Sequence, residues 1–385
     1  MDSIPDPSIP MGVDLSISER ARAIHDRAIV WDAHCDTLQR LVIDNVDLGL
    51  PSTAQADLPA WRAGGVKAQV FAVWVDTIYG STHAARRALD QIAAFHQFLA
   101  KYPDQVGLAL TGADVRRLAR DGKLAAILAI EGGLAIQNDL GLLRTYARLG
   151  ATSMTLTHSA SIDWVDSSTD APRWGGLNDL GREVIAEMNR LRMVIDVSHV
   201  SDAAIKQVVE LSTAPVIASH SSSKVVCNHP RNLTDDLARA IAGTGGVMGI
   251  NFVNEILDQA YYDTMTASRP SVLTLLNQPT DYPPEDLDRI AAERLKTWFK
   301  DVPFRPPFER VIDHIVHLVN VAGRDHVGIG ADLDSCVIPL PEGFDSVRDY
   351  PKITDALCRK GFSDDAVEKI MGGNFLRVFE SVRGA

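Results

Sequence analysis

IVWDAHCDTL, residues 29–38, opens as an apolar, β-branched run and ends in the cluster His34, Cys35, Asp36. The design returns seven times: VKAQVFAVWV (66–75), LAAILAIEGG (124–133), ATSMTLTHSA (151–160), RMVIDVSHVS (192–201), APVIASHSSS (214–223), GGVMGINF (245–252) and HVGIGADLDS (326–335). Near-continuous apolar runs of this kind read as buried parallel strands, because helices cover one face and side chains fill the other. Between them, HAARRALDQIAAFHQFLA (83–100), DLGREVIAEMNRLR (179–192) and FERVIDHIVHLVNVAG (308–323) space apolar residues three and four apart, as amphipathic helices do. Thr111 with Asp114 and Ser201 with Asp202 supply helix starts, and Gly150 follows a helix ending at Arg148. Eight such runs alternating with helices predict an α/β fold, a single-domain eight-stranded (β/α)8 barrel of the TIM type.

Residues 1–19 read as an irregular N-terminal arm and 20–385 as the barrel. Segments 161–178 and 254–306 interrupt the pattern and are expected to be inserted loops that build a substrate pocket. A doubly wound open sheet is the rival fold, but it binds nucleotide through a Gly-rich turn after its first strand. Asp36-Thr37-Leu38-Gln39-Arg40 stands there instead.

Apolar residues make up 46% of the chain and charged residues 23%, an ordinary globular balance that excludes a disordered or collagen-like chain. The 38 Lys and Arg against 50 Asp and Glu leave a net charge of −12, which argues against nucleic acid and anionic membranes as partners. Cys35, Cys227, Cys336 and Cys358 lie far apart and form no CxxC pair, so neither a disulfide framework nor a thiolate zinc site is predicted. The N-terminus carries acids and prolines rather than a basic patch and an apolar run, and stretches such as Leu124 to Ile130 fall far short of the roughly 20 residues that cross a bilayer. A soluble, cytoplasmic protein is expected, with an isologous homodimer as the default assembly.

Ionisable residues collect at the C-terminal ends of the runs, the end at which barrels of this type keep their active sites. His34 and Asp36 end the first run, Glu131 the third, His158 the fourth, His199 the fifth, His220 the sixth, Asp332 and Asp334 the eighth. A strand period of two turns His34 and Asp36 inward together and Cys35 outward, to pack against the wall. Any one of these residues alone reads as a satisfied polar side chain. Four histidines and three carboxylate positions at one mouth cost several kcal/mol each to bury unless a cation pairs them. Nitrogen and oxygen donors without thiolate suit zinc, manganese or iron, of which zinc is the usual hydrolytic choice, and the set exceeds one tetrahedral site, so two ions about 3.5–4 Å apart are expected. Glu131, on a strand between the two ligand groups, is the expected bridge.

WDAHCDTL, AIEGG, LTHSA, DVSHVSD, ASHSSS, NHPRN and GIGADLDS, in this order, resemble the motifs of the membrane dipeptidase (renal dipeptidase) family of metallopeptidases, over roughly residues 20–380. The resemblance implies an eight-stranded α/β barrel, two Zn2+ ions per chain, and hydrolysis of dipeptides by a zinc-activated water, with the choice between L,L- and L,D-dipeptides left open. Carried over by motif, it makes His34 and Asp36 ligands of one zinc, Glu131 the bridge, and His199 and His220 ligands of the other. It further implies that His158 contacts the substrate carbonyl, that Arg231 holds the substrate carboxylate, and that Asp332 handles protons. The first motif commonly reads DGHND in the family and DAHCD here, which leaves both ligands in place.

An amidohydrolase-type barrel acting on another amide or a lactone is the alternative; such proteins typically carry HxH on the first strand, where this chain has HxD. A Schiff-base aldolase would need Lys224 as nucleophile, and a non-catalytic barrel would not need the ligand positions filled. His314 and His317 flank the stripe VIDHIVHLV and read as structural residues at its edge, so that His314→Ala is expected to leave activity and zinc content nearly unchanged. His25, His83, His96 and His326 are given no role.

Overall fold

Every one of the eight apolar runs contains a strand. The computed structural model describes residues 17–268, 282–297, 304–334 and 339–385. The strands are β1 (Val30–Cys35), β2 (Val66–Trp74), β3 (Val106–Leu108), β4 (Leu124–Glu131), β5 (Ala151–Thr155), β6 (Val194–Asp196), β7 (Val216–Ile217), β8 (Met248–Ile250) and β9 (Val327–Ile329). Among the described residues only β3 falls outside the runs read from the sequence. It lies beside Leu124–Ala126 of β4, while β5 takes up Leu128–Glu131.

Among the described residues every ladder between strands is parallel. The main sheet runs β1-β2-β4-β5-β6-β7, and β8 pairs with β9 separately. Single parallel bridges link Ala218 to Met248 and Cys35 to Leu333, so the sheet curls from β7 toward β8 and from β9 back toward β1. The expected run of eight full strands gives way in the second half to strands of two or three residues. The cause is local around β7. Beyond Ile217 the N–H of Ser219 donates to Asp196 Oδ1 (2.9 Å) and that of His220 to Ser198 Oγ (3.0 Å). Side chains thus take donors that a longer ladder would have paired.

Helices follow the strands as their periodicity predicts, Gly80–Lys101, Asp179–Arg190 and Glu309–Ala322 among them. Thr111 and Asp114 form a reciprocal capping box, and Ser201 accepts the N–H of Ala204 at the next predicted start. Inside the curl, Trp31, Ala33, Val70, Ile127, Ala129, Val194 and Ile217 form one apolar cluster with Phe375 and Phe379 of the C-terminal helix Asn374–Arg383. Phe375 stacks on Trp31 at 6.3 Å and Phe379 meets it edge-on at 5.5 Å, so this helix packs near the start of β1. No described helix is long and apolar enough to cross a membrane.

Of the arm read over 1–19, residues 1–16 lie outside the described residues, and Ser18 already caps the helix Glu19–Arg27. Cys336 also lies outside them. Of the insertion 254–306, the described parts are mostly helical: Asn254–Leu257, Gln259–Ser268 and Leu287–Thr297. Segment 161–178 folds back on itself instead, because Asp166 gathers the N–H groups of Arg173, Trp174 and Gly176.

Gly249 of β8 and Gly330 after β9 both press against the carbonyl of Ser219, where a Cβ on either would fall inside its van der Waals radius. That backbone carries the neighbouring His220. Gly330→Ala is expected to cost about 1–3 kcal/mol of stability through overpacking, read as a lowered urea midpoint at an unchanged slope; an unchanged midpoint would show that the strands separate freely.

Candidate metal centre

The ionisable side chains reach one mouth because each stands where a strand gives way to a loop. On β1 the pairing register with β2 shifts between Asp32 and Cys35. Trp31 and Ala33 face the interior below the shift; His34 and Asp36 are buried at the mouth above it, and Cys35 joins the apolar core outside. Burial pushes the Cys35 thiol well above its ordinary range, which leaves it a packing group as read. Asp32 fixes the turn by accepting the N–H of His34 (3.3 Å) and that of Ala331 (2.9 Å), which ties the end of β1 to the end of β9. Glu131 is the last residue of β4. His158, His199, His220 and Asp332 follow β5, β6, β7 and β9. His199 and Asp332 hold left-handed backbone, φ +68° and +61°. Strain at such positions, of order 1–3 kcal/mol, persists where the surroundings over-determine it.

Seven of the residues predicted for the site come together. Glu131 Oε2 lies 3.2 Å from His34 Nε2, whereas its Oε1 lies 3.2 Å from His199 Nε2, 3.4 Å from His220 Nε2 and 3.8 Å from His158 Nε2. His34 Nε2 is also 3.9 Å from Asp36 and 3.8 Å from Asp332. Three overlapping donor groups result: His34, Glu131 and His220; Glu131, His158 and His199; His34, Asp36 and Asp332.

These residues fit a metal. Two donors each about 2.0–2.2 Å from a tetrahedral zinc lie about 3.3–3.6 Å apart, close to the spacings of 3.2–3.8 Å around Glu131; the His199–His220 pair, at 2.9 Å, is shorter still. His34 Nε2, Asp36 Oδ1 and Glu131 Oε2 are buried at the mouth without a hydrogen-bond partner. Buried polar atoms are rarely left so, and an ion accepting all three lone pairs accounts for them together.

The charges agree. Burial opposes ionisation of Glu131, yet the charge of His34 beside it holds the carboxyl well below the ordinary carboxylate range. Burial and then the charge of Glu131 push Asp36 well up. Burial alone would lower His34, but Glu131, Asp36 and Asp332 outweigh it and raise it to about 10. A site that loads a proton onto an imidazole to balance its carboxylates is short of positive charge. His199 and His220 are lowered, chiefly by burial, and stay neutral as ligands must. His158 is lowered to about 4 by burial and Arg231 against the pull of Glu131.

Arg231 stands beside the cluster, donating from Nη1 to Ser221 Oγ (3.3 Å) and from Nη2 to the His220 carbonyl (3.2 Å). Burial lowers it only to about 10, so it is charged at neutral pH. Asp334 does not join the site: it accepts from Thr37 Oγ1 and pairs with Arg40, at 2.9 and 3.1 Å. Lys224 is ion-paired with Asp202 at 3.1 Å, which removes it as a Schiff-base nucleophile. His317 pairs with Asp235 at 2.8 Å. His314 is not at an edge but fully buried, accepting the Ser223 N–H at Nδ1 and donating to the Leu257 carbonyl from Nε2, both at 3.0 Å. The apolar periodicity of its helix gave no sign of those loop partners. Asn251, whose Nδ2 donates to Asp332 Oδ2 at 2.8 Å, was not legible as a site residue either.

The profile of the family described as Membrane dipeptidase (Peptidase family M19) matches residues 18–385. A "Dipeptidase verJ" of Clonostachys rogersoniana is 32% identical over 351 residues, 88% of this chain and 79% of that protein. Among solved structures, the "probable dipeptidase PvdM from Pseudomonas aeruginosa" superposes with a TM-score of 0.82 at 25% identity, covering 95% of this chain and 98% of that one. Another, described as "dipeptidase AC, Metallo peptidase" of family M19, does so with a TM-score of 0.76 at 26% identity, covering 93% and 99%.

Because metal-free His34 is protonated up to about pH 10 and a ligand imidazole must be neutral, metal uptake at pH 7 releases protons and weakens as pH falls. Calorimetric zinc titrations in two buffers of different ionisation enthalpy should therefore give different apparent heats; equal heats would contradict this charge balance. His314→Ala, expected to leave activity and zinc content nearly unchanged, should nonetheless lower unfolding free energy by about 1–3 kcal/mol for each backbone group left unpaired, measured by urea denaturation; wild-type stability would return His314 to the surface.

Proposed function

The chain belongs to the membrane dipeptidase family, and on that premise we propose that it hydrolyses dipeptides to free amino acids with two zinc ions held at the strand ends. One observation carries the reading: the two oxygens of a single buried carboxylate, Glu131, face different partners, Oε2 toward His34 and Oε1 toward His199 and His220. A carboxylate so placed suits a bridge. His34 and Asp36 would hold one ion, His199 and His220 the other. We read the strands other than β3 as a closed ring of eight around this mouth, and the bridges Ala218–Met248 and Cys35–Leu333 support that closure. A reducing, cytoplasmic setting is the companion reading, supported by the buried, unpaired Cys35, Cys227 and Cys358.

When bound, zinc supplies a nucleophile by lowering the pKa of water from 15.7 toward about 7, and it polarises a carbonyl as a Lewis acid. The chain's own residues do the remainder. Asp332, aimed by Asn251 and 3.8 Å from His34, accepts a proton and returns it to the departing amine. His158, neutral and partly exposed at the mouth, donates a hydrogen bond to the carbonyl oxygen, where a donor of this sort contributes about 3–4 kcal/mol. Arg231 spends two of its five N–H groups on the protein and offers the others to a free carboxylate, which selects short substrates ending near the scissile bond. That requirement is met by L,L- and L,D-dipeptides alike.

Chelator-stripped and zinc-reloaded protein, assayed with L,L- and L,D-dipeptides, N-acyl amino acids and lactones, should release amino acids from dipeptides only after reloading. Equal turnover without metal, or turnover of lactones alone, would overturn the reading. Asp332→Asn should lower kcat by roughly 10²–10⁴-fold at unchanged zinc content, whereas Glu131→Gln should lose both zinc and activity. Full zinc content in Glu131→Gln would remove the bridge.

A further inference from the structure

His199 and His220 face Glu131 from the same side, but the rings are held differently. His199 Nδ1 is buried with no hydrogen-bond partner. His220 Nδ1 lies 2.7 Å from Ser219 Oγ, and Ser219 Oγ lies 2.5 Å from Asp196 Oδ2. Asp196, the last residue of β6, is buried and saturated. Its Oδ1 accepts the backbone N–H groups of Ser198 (3.0 Å) and Ser219 (2.9 Å), and its Oδ2 accepts the hydroxyls of Thr155 (2.6 Å) and Ser219.

Counting donors assigns the protons. An ionised carboxylate only accepts, so the single hydroxyl proton of Ser219 goes to Asp196. Ser219 Oγ can then only accept from His220, and Nδ1 must carry the ring proton. The lone pair falls on Nε2, where the ring N–H of His199, whose Nε2 lies 2.9 Å away, can donate to it; Glu131 Oε1 is 3.4 Å off.

We propose that Asp196, acting through Ser219, fixes the tautomer of His220 and so presets it as a ligand, making both residues positioning residues for the metal centre. The inference rests on the metal reading of the site. The proton count of the ring does not change; only the nitrogen that bears the proton is decided. An intervening hydroxyl here takes the place of the direct carboxylate or carbonyl partner that orients ligand histidines elsewhere. His199 has no such device, so the two histidines differ in how far each is prepared before the ion arrives.

Asp196→Asn tests this with almost no change of shape. The two backbone N–H groups hold the amide oxygen at the Oδ1 position, which turns the amide NH2 toward Thr155 and Ser219. Ser219 then accepts from the amide and donates to His220 Nδ1, and the ring proton moves to Nε2, where it blocks the ligand lone pair. Nitrogen-15 spectra of histidine-labelled, metal-free protein should show His220 protonated at Nδ1 in the wild type and at Nε2 in Asp196→Asn. Zinc affinity, measured by chelator competition, should fall by about 10–100-fold in that variant and by less in Ser219→Ala, which leaves the tautomer free rather than reversed. A role in packing alone predicts the opposite order, since Asn is isosteric with Asp.

A wild-type ring protonated at Nε2, or wild-type zinc affinity in a folded Asp196→Asn, would overturn the proposal. Should that variant fail to fold, the wild-type spectrum still decides it. A wild type that binds no zinc would instead defeat the metal reading, while the Nδ1 proton would remain visible in the spectrum.

Discussion

Four imidazoles and three carboxyl groups share one mouth, and the electrostatic demand they make is the constraint around which the structure is organised. Without a cation the carboxylates compete for protons: Asp36 is driven up, Glu131 down, and His34 is held protonated far above its ordinary range. Such a cluster costs several kcal/mol unless paired. The fold holds it through left-handed backbone at His199 and Asp332, through Asp32 tying β1 to β9, and through glycines that bring β8 and β9 against Ser219.

The same demand shapes the sheet. The first half of the chain forms ladders of five to nine residues along β1, β2, β4 and β5. Around β6 and β7, ladder hydrogen bonds give way to side-chain acceptors, and those acceptors, Asp196 and Ser198, flank the histidines. Regular pairing is lost where these histidines are held. An apolar interior closed by Trp31, Phe375 and Phe379 lies beneath.

Much of this was legible in the sequence because both signals are local. Apolar runs mark strands wherever both faces are buried, and a His or Glu at the end of such a run needs only the fold to bring it to the rim. The position of β3 was not legible, since three residues carry no period of their own. The split between Asp332 and Asp334 came only from the family resemblance and not from spacing: two residues apart on one strand end, they part because Arg40 and Thr37 wait for one and Asn251 for the other. His314 was misplaced for the same reason. Its stripe reads as a helix edge, and the backbone groups it serves lie 91 and 57 residues away in the chain. Asp196 and Ser219 sat inside quoted motifs, but their bearing on His220 needed the distances.

The central claim is that one carboxylate joins two cations at this mouth. Anomalous diffraction at the zinc edge, from crystals of the zinc-loaded protein, tests it most directly. Two peaks about 3.5–4 Å apart should flank Glu131, one against His34 and Asp36 and the other against His199 and His220. A single peak, or peaks away from Glu131, would contradict the account.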